Sequence, residues 1–387
     1  MHRRDLGGGL PVRAGLAAGG LVLAALVAGT AGMSGQSTVL KDVMPRGVLI
    51  GAAVNARQVS GGDAVSADIV ARQFSSISPE NSLKWGPIHP AADRFAFEAA
   101  DQFVAFGRDH GLAVIGHCLV WHQQTPAWVF AGDGGAKASR DVLLARMRDH
   151  IATVVGRYKG RIRGWDVVNE AVDEDGTLRK SPWLDGIGED FIAKAFEYAH
   201  AADPDAELYY NDYNLWKPAK RAAVIKIVKD LRAHGRRVDA VGEQAHWGID
   251  EPPLADIDAT LRDLAAGTGV KVMLTELDVD VLPRDPDMWG ADLSKQATIR
   301  AATNIYPDGL PPAQQQKLAR RYADVFTLVL KHRATISRVT FWGVTDANTW
   351  LHNFPIRGRV NHPLLWDKLG QPKPAFDAVV EALRTQR

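Results

Sequence analysis

At two places an apolar run ends on a carboxylate. One is Trp165-Asp166-Val167-Val168-Asn169-Glu170 and the other is Met273-Leu274-Thr275-Glu276-Leu277-Asp278. A single Glu at the end of a strand is most often an ion-paired surface charge. Two that converge on one cleft are what glycoside hydrolysis needs: a protonated donor for the leaving oxygen and an ionised nucleophile for the anomeric carbon. Nearby residues supply what such a pair lacks. His246, in Gln244-Ala245-His246, can hydrogen-bond Glu276 and keep it ionised. Asp278 lies two positions beyond Glu276, on the same strand face, and can hold His246 in turn. Asn169 carries an amide suited to a sugar hydroxyl, an interaction worth several kcal/mol, as an order of magnitude, when it tightens in the transition state.

Other reactive side chains point elsewhere. His117, His122 and His246 sit on two different strands and show no His-x-His pattern, so neither a catalytic metal nor a cofactor is expected. Cys118 stands inside an apolar run and reads as a buried, inert thiol. As the only cysteine it can form no intramolecular disulfide.

Glu170 and Glu276 need a scaffold that brings distant segments together. Eight short β-rich runs are candidate strands: 48–54, 73–78, 113–119, 164–168, 207–211, 240–244, 271–277 and 338–344. Helical periodicity fills the gaps, over 97–107, 142–158, 192–199, 222–231, 257–264 and 318–330. This alternation predicts an α/β fold, a (β/α)8 TIM barrel, with chemistry at the carboxyl ends of the strands. The structural alternative is a doubly wound open sheet. It would usually carry a Gly-rich phosphate turn after its first strand, and none is present. No repeat or linker divides residues 43–384, which read as one domain.

Composition narrows the partners. Of 387 residues, 46 are Lys or Arg and 45 Asp or Glu, so the net charge is +1. That leaves no basic field for nucleic acid or an anionic membrane. Eleven Trp offer flat apolar faces for ligands. Residues 14–40 carry no charge and follow Arg3, Arg4 and Arg13. The apolar centre 14–28 is short for a membrane span and reads as an export signal, residues 1–31, cleaved near Ala31. His2-Arg3-Arg4-Asp5-Leu6 resembles a twin-arginine signal. Cleavage removes Arg3, Arg4, Arg13 and Asp5 and leaves a mature charge of −1. The expected product is an exported monomer, periplasmic or extracellular, with no stable membrane insertion.

The segments around Glu170 and Glu276 look like the active-site segments of glycoside hydrolase family 10, mostly endo-1,4-β-xylanases. Further segments resemble that family in its order: Glu80-Asn81-Ser82-Leu83-Lys84-Trp85, Gly116-His117-Cys118-Leu119-Val120-Trp121-His122, Asn211-Asp212-Tyr213-Asn214, Gln244-Ala245-His246 and Phe341-Trp342-Gly343-Val344-Thr345-Asp346. The tail segments Pro363-Leu364-Leu365-Trp366-Asp367 and Pro372-Lys373-Pro374-Ala375-Phe376 are also similar. The resemblance implies a barrel that cleaves xylan and xylo-oligosaccharides with retention, its carboxyl groups about 5–5.5 Å apart. It makes Glu170 the general acid/base and Glu276 the nucleophile, supported by His246 and Asp278. Asn169 and Gln244 would orient around the cleaved sugar, and Glu80, Asn81 and Lys84 would contact the sugar on the non-reducing side. His117 and Trp121 would line the cleavage subsite, Trp342 and Trp350 would cover it, and Tyr213 would face the leaving side.

Glu243 departs from the family pattern, where an apolar residue is usual. Strand alternation turns it toward the helix layer, as a paired, non-catalytic carboxylate. The irregular loop 281–312 borders the cleft without an assigned sugar contact. Two other readings compete: another retaining β-1,4-glycanase, a glucanase or mannanase, and a non-catalytic carbohydrate-binding barrel. The latter would usually lack one of the two carboxylates, and both are present.

Overall fold

The computed structural model describes residues 38–284, 288, 291–298 and 300–385. The expected export signal, 1–31, lies outside them. Nine strands are β1 Leu49–Val54, β2 Ser76–Pro79, β3 Ala113–Trp121, β4 Gly164–Asn169, β5 Glu207–Asp212, β6 Ala240–Glu243, the short β7 His246–Gly248, β8 Lys271–Asp280 and β9 Ile336–Phe341. Every pairing between them is parallel. Neighbours run β6-β5-β4-β3-β2-β1-β9-β8, and a β6–β8 pairing closes the ring. Eight strands thus form the barrel, with β7 a short extension after β6. This is the (β/α)8 barrel read from the alternation of strand and helix patterns.

The helices are α1 Leu40–Val43, α2 Ala56–Val59, α3 Ala64–Gln73, α4 Trp85–Ile88, α5 Glu98–Asp109, α6 Arg140–Arg157, α7 Pro182–Ile187, α8 Phe191–Ala202, α9 Pro218–Ala233, α10 Leu254–Thr268, α11 Pro312–Lys331 and α12 Pro374–Thr385. Eight of them have ten or more residues, one for each barrel strand. Pro182, Pro218 and Pro312 open α7, α9 and α11, where a missing N–H costs nothing and φ is already set. The six helices expected from periodicity all form, mostly longer at each end. The second strand begins at Ser76 rather than residue 73, because Gln73 completes α3. Among the described residues no helix is long and apolar enough to cross a membrane.

Two cores follow from strand alternation. The larger lies between barrel and helices. Trp165 on β4 fills it beside Gly116 of β3. The smaller lies inside the barrel floor, where Ile115, Tyr209, Ala240 and Met273 meet. Above them Arg338 is buried, its Nη1 donating to Ser78 Oγ at 3.2 Å and Thr340 Oγ1 at 3.1 Å. At the closed end α1 packs on α12. Leu40 is fully buried, its N–H donates to Gln73 Oε1 at 2.8 Å, and Arg384 Nη2 donates to Thr38 Oγ1 at 2.8 Å.

Strand irregularities matter most for what faces inward. β4 slips against β5 between Asp166 and Val168, and β8 slips against β9 between Leu274 and Leu277. A bulge of this kind turns an extra residue toward one face. It puts both Asp166 and Asn169 inside, three residues apart. In β8 it lets the consecutive Thr275 and Glu276 both reach Asn211.

Gly116 tests this packing. A Cβ there would overlap the six-membered ring of Trp165. Gly116→Ala should therefore lower stability by roughly 1–3 kcal/mol through overpacking, read as a lower urea midpoint at an unchanged slope.

Candidate active site

The carboxyl ends of the strands open onto a cleft of about 280 Å³. Its walls include Glu80, Asn81, Lys84, His117, Trp121, Asn169, Glu170, Gln244, His246, Glu276, Trp342 and Trp350. Gln124, Ala291 and Leu293 line it as well. The last two come from the loop to which sequence reasoning assigned no contact. A larger hollow, about 520 Å³, lies between α8 and α9 and contains none of the strand-end carboxylates. Tyr213 does not line the cleft. It is buried, accepts a hydrogen bond from Arg179 Nη2 at 2.7 Å, and has Lys220 Nζ 3.6 Å from its ring centre.

Glu276 sits among donors. Asn211 Nδ2 donates to its Oε1 at 2.8 Å, and His246 Nε2 lies 3.2 Å from its Oε2. The other ring nitrogen of His246 is 3.1 Å from Asp278 Oδ1, and Trp350 Nε1 donates to Asp278 Oδ2 at 2.7 Å. A carboxylate at each ring nitrogen favours the doubly protonated imidazolium. Burial opposes that charge, but Asp278 and Glu276 outweigh it and raise His246 to about 9. Burial likewise pushes the Glu276 carboxyl up. The hydrogen bond from His246 and the fields of His117, His246 and Lys84 overcome this and hold it below its ordinary value.

Glu170 is treated differently. Gln244 Nε2 at 2.9 Å and Asn169 Nδ2 at 3.2 Å donate to its Oε1, and Trp121 Nε1 at 2.8 Å to its Oε2. Its carboxyl is nevertheless raised. Burial is the largest cause and the negative charge of Glu276 adds to it, against Gln244, Trp121 and Arg179. Two buried carboxyl groups therefore shift in opposite senses, which is the arrangement of an acid beside a nucleophile.

Asn211 joins the two. Its Nδ2 also donates to Asn169 Oδ1 at 2.9 Å, and its Oδ1 accepts from Thr275 Oγ1 at 2.6 Å. The motif Asn211-Asp212-Tyr213-Asn214 by itself assigns Asn211 no role; a polar residue at the end of the apolar run 207–211 is the available signal. On the opposite wall Lys84 Nζ donates to Asn81 Oδ1 at 3.2 Å and lies 4.9 Å from the Trp121 ring centre. Burial raises the Glu80 carboxyl beside it, against the charge of Lys84. His117 Nδ1 pairs with Asp166 Oδ2 at 2.9 Å, and its ring meets the edge of Trp342. Trp350 packs against His246 and stacks on Phe354.

Glu243 is buried but absent from the cleft lining. Its partners are backbone N–H groups, Leu215 at 2.6 Å and Ala245 at 3.1 Å, rather than an ion of opposite charge. Burial pushes it up to about 7. Cys118 is buried, and burial raises its thiol well above the ordinary range.

A glycosyl hydrolase family 10 model matches residues 39–382. The chain is 43% identical over 351 residues to endo-1,4-β-xylanase A of Xylanibacter ruminicola, covering 91% of this chain and 95% of that protein. It is 41% identical over 344 residues to an endo-1,4-β-xylanase of Geobacillus stearothermophilus, covering 88% and 97%. Among solved structures, an endoxylanase of the same family from a sugarcane soil metagenome superposes with a TM-score of 0.84 at 44% identity. That match covers 90% of this chain and all of the other.

The cluster around His246 has a pH signature. Its value of about 9 in the fold exceeds the unfolded value of about 6.5, a difference worth roughly 3 kcal/mol. That stabilisation is complete below pH about 6.5 and is lost as pH rises through about 9. In urea unfolding, the stability gap between wild type and His246→Asn should be widest near pH 6, shrink as pH rises above about 6.5 and be nearly gone above about 9. A gap independent of pH would show that the imidazolium is not the source.

Proposed function

As this chain belongs to glycosyl hydrolase family 10 and is a glycoside hydrolase, we propose that it cleaves internal β-1,4 bonds of xylan by a double displacement. Glu276 is the nucleophile and Glu170 the general acid/base. The observation that carries the assignment is the opposite shift of two buried carboxyl groups at the ends of β4 and β8.

A xylan chain lies along the cleft with one sugar over Glu276. The ionised Glu276 attacks the anomeric carbon while Glu170 gives its proton to the departing oxygen, leaving a covalent glycosyl-enzyme. Esterified Glu276 no longer carries charge, so one cause of the raised Glu170 carboxyl disappears. Glu170, now a carboxylate held by Gln244 and Trp121, takes a proton from water as the water oxygen attacks the same carbon, breaking its bond to Glu276 and releasing Glu276 as the carboxylate. Two inversions restore the β configuration. Asn169 addresses the 2-hydroxyl of that sugar, and Glu80, Asn81 and Lys84 the non-reducing neighbour. His117 lines the cleavage subsite. Tyr213 lies behind the cleft wall, hydrogen-bonded to Arg179, and takes no part in this set of sugar contacts.

Trp342 and Trp350 wall the cleavage subsite, which supports a pentose there. Xylose lacks the exocyclic hydroxymethyl of glucose, and the indole walls exclude the larger sugar by contact. The Arg3-Arg4 pair and the uncharged stretch behind it support export by the twin-arginine route, with the mature enzyme acting outside the cytoplasm as a monomer.

Proton NMR of xylohexaose cleavage should show the β-anomer first, followed by mutarotation. First appearance of the α-anomer would remove Glu276 as nucleophile. Cleavage of a glucan or mannan oligomer in place of xylohexaose would replace the substrate assignment. Glu276→Gln should lower kcat on xylan by at least about 10³-fold without unfolding the barrel. Trp342→Ala should raise the aryl-cellobioside rate relative to the aryl-xylobioside by roughly 10-fold, and an unchanged ratio would refute exclusion by the indole wall.

A further inference from the structure

Glu170 has a backbone that side-chain-bearing residues rarely adopt, with φ of +59°. Such a conformation is strained and persists only where surrounding contacts impose it. The chain leaves β4 at this point while the carboxyl must still aim into the cleft.

Two contacts hold the peptide units on either side. The Glu170 N–H donates to Asn211 O at 2.9 Å. The Glu170 carbonyl accepts from Arg179 Nε at 2.9 Å. Arg179 returns to this place because residues 171–179 form a hairpin. Val172 bridges Leu178, Gly176 takes φ of +87° at the tip, and Arg179 N–H donates to Ala171 O at 2.8 Å. The guanidinium then spans the junction. Nη2 donates to Val172 O at 3.4 Å and Tyr213 Oη at 2.7 Å, and Nη1 pairs with Asp173 Oδ1 at 3.1 Å. Only 10% of its side chain is exposed. One planar fork thus fixes the left-handed turn of β4 against the end of β5.

We propose that Arg179 is a positioning residue for proton transfer: it clamps the Glu170 carbonyl and so fixes where the Glu170 carboxyl points. The inference rests on Glu170 being the general acid/base. Arg179 does not line the cleft and acts only through Glu170. Its charge has a second effect, because it counteracts the burial that raises the Glu170 carboxyl. The other ionisable groups bearing on Glu170 are Glu276 of β8, Asp212 of β5, Tyr213 and Cys118. His122 shares the small buried space behind Glu170 with Arg179. Of these, Arg179 is the cation that also binds the Glu170 main chain.

The test compares leaving groups. A poor leaving group needs the proton from Glu170, whereas 2,4-dinitrophenolate leaves without it. Arg179→Met should lower kcat/KM on xylohexaose roughly 10- to 100-fold, chiefly through kcat. On 2,4-dinitrophenyl β-xylobioside the loss in kcat/KM should stay within about 3-fold. The alkaline limb of kcat/KM on xylohexaose should move to higher pH, since a positive charge that lowers Glu170 is gone. Arg179→Lys keeps the charge but cannot reproduce the fork. It should keep the limb in place yet show the same loss on the poor leaving group. It also serves as the reporter if Arg179→Met does not fold. Equal losses on both substrates with an unmoved limb would overturn the proposal and leave Arg179 as a brace of the hairpin alone. Glu170→Gln separates the two levels. If it shows no leaving-group selectivity, the assignment of Glu170 itself fails. If it does and the Arg179 variants do not, only the clamp fails.

Discussion

Two carboxyl groups share a cleft, each almost wholly buried in its wall, and both cannot carry full charge there without counter-charge. The chain resolves this asymmetrically. Glu276 receives an imidazolium held by a second carboxylate, together with the Asn211 amide. Glu170 receives only neutral donors to its carboxyl oxygens, with its cation set behind the main chain. The same burial therefore yields opposite protonation preferences, and reactivity follows from which partner each strand end can reach. Much of the barrel mouth serves that division: Trp350 orients Asp278, Asn211 ties β5 to β8, and Gln244 spans from β6 to β4.

A regular barrel could not place these groups. Strict alternation would put Asp166 and Val168 on one face and hide Asn169. The slip in β4 turns both Asp166 and Asn169 inward, and the slip in β8 directs Thr275 and Glu276 to one amide. Bulges that spoil the ladder beside the chemistry are thus the means by which a repetitive scaffold acquires an asymmetric centre.

That also marks what could be read beforehand. Strand and helix periodicity revealed the barrel, because alternation of short β-rich and longer amphipathic runs is a property of whole segments. Glu170 and Glu276 were visible as carboxylates interrupting apolar runs at strand ends. The spacing of Glu276 and Asp278 brought His246 between them, a local inference that needs only a two-residue period. Asn211, Gln124, Ala291 and Leu293 were given no role, since their place depends on register slips and on loops whose path no periodicity encodes. Tyr213 was expected on the cleft surface but lies behind it under Arg179 and Lys220. Glu243 was expected to pair, and does so with main-chain N–H groups, which sequence patterns do not identify.

The contact between Thr38 and Arg384 brings the first and last described turns of the barrel together at its closed end. Helices return antiparallel to the strands, so the end of α12 and the start of β1 share the floor, while the cleft opens at the opposite face. A resin or fluorophore coupled at the end of α12 would hold the molecule with its cleft outward. The adjacency also favours circular permutation of residues 38–385: a short peptide could join the end of α12 to Thr38, and new ends could be cut in an exposed turn without stretching any strand.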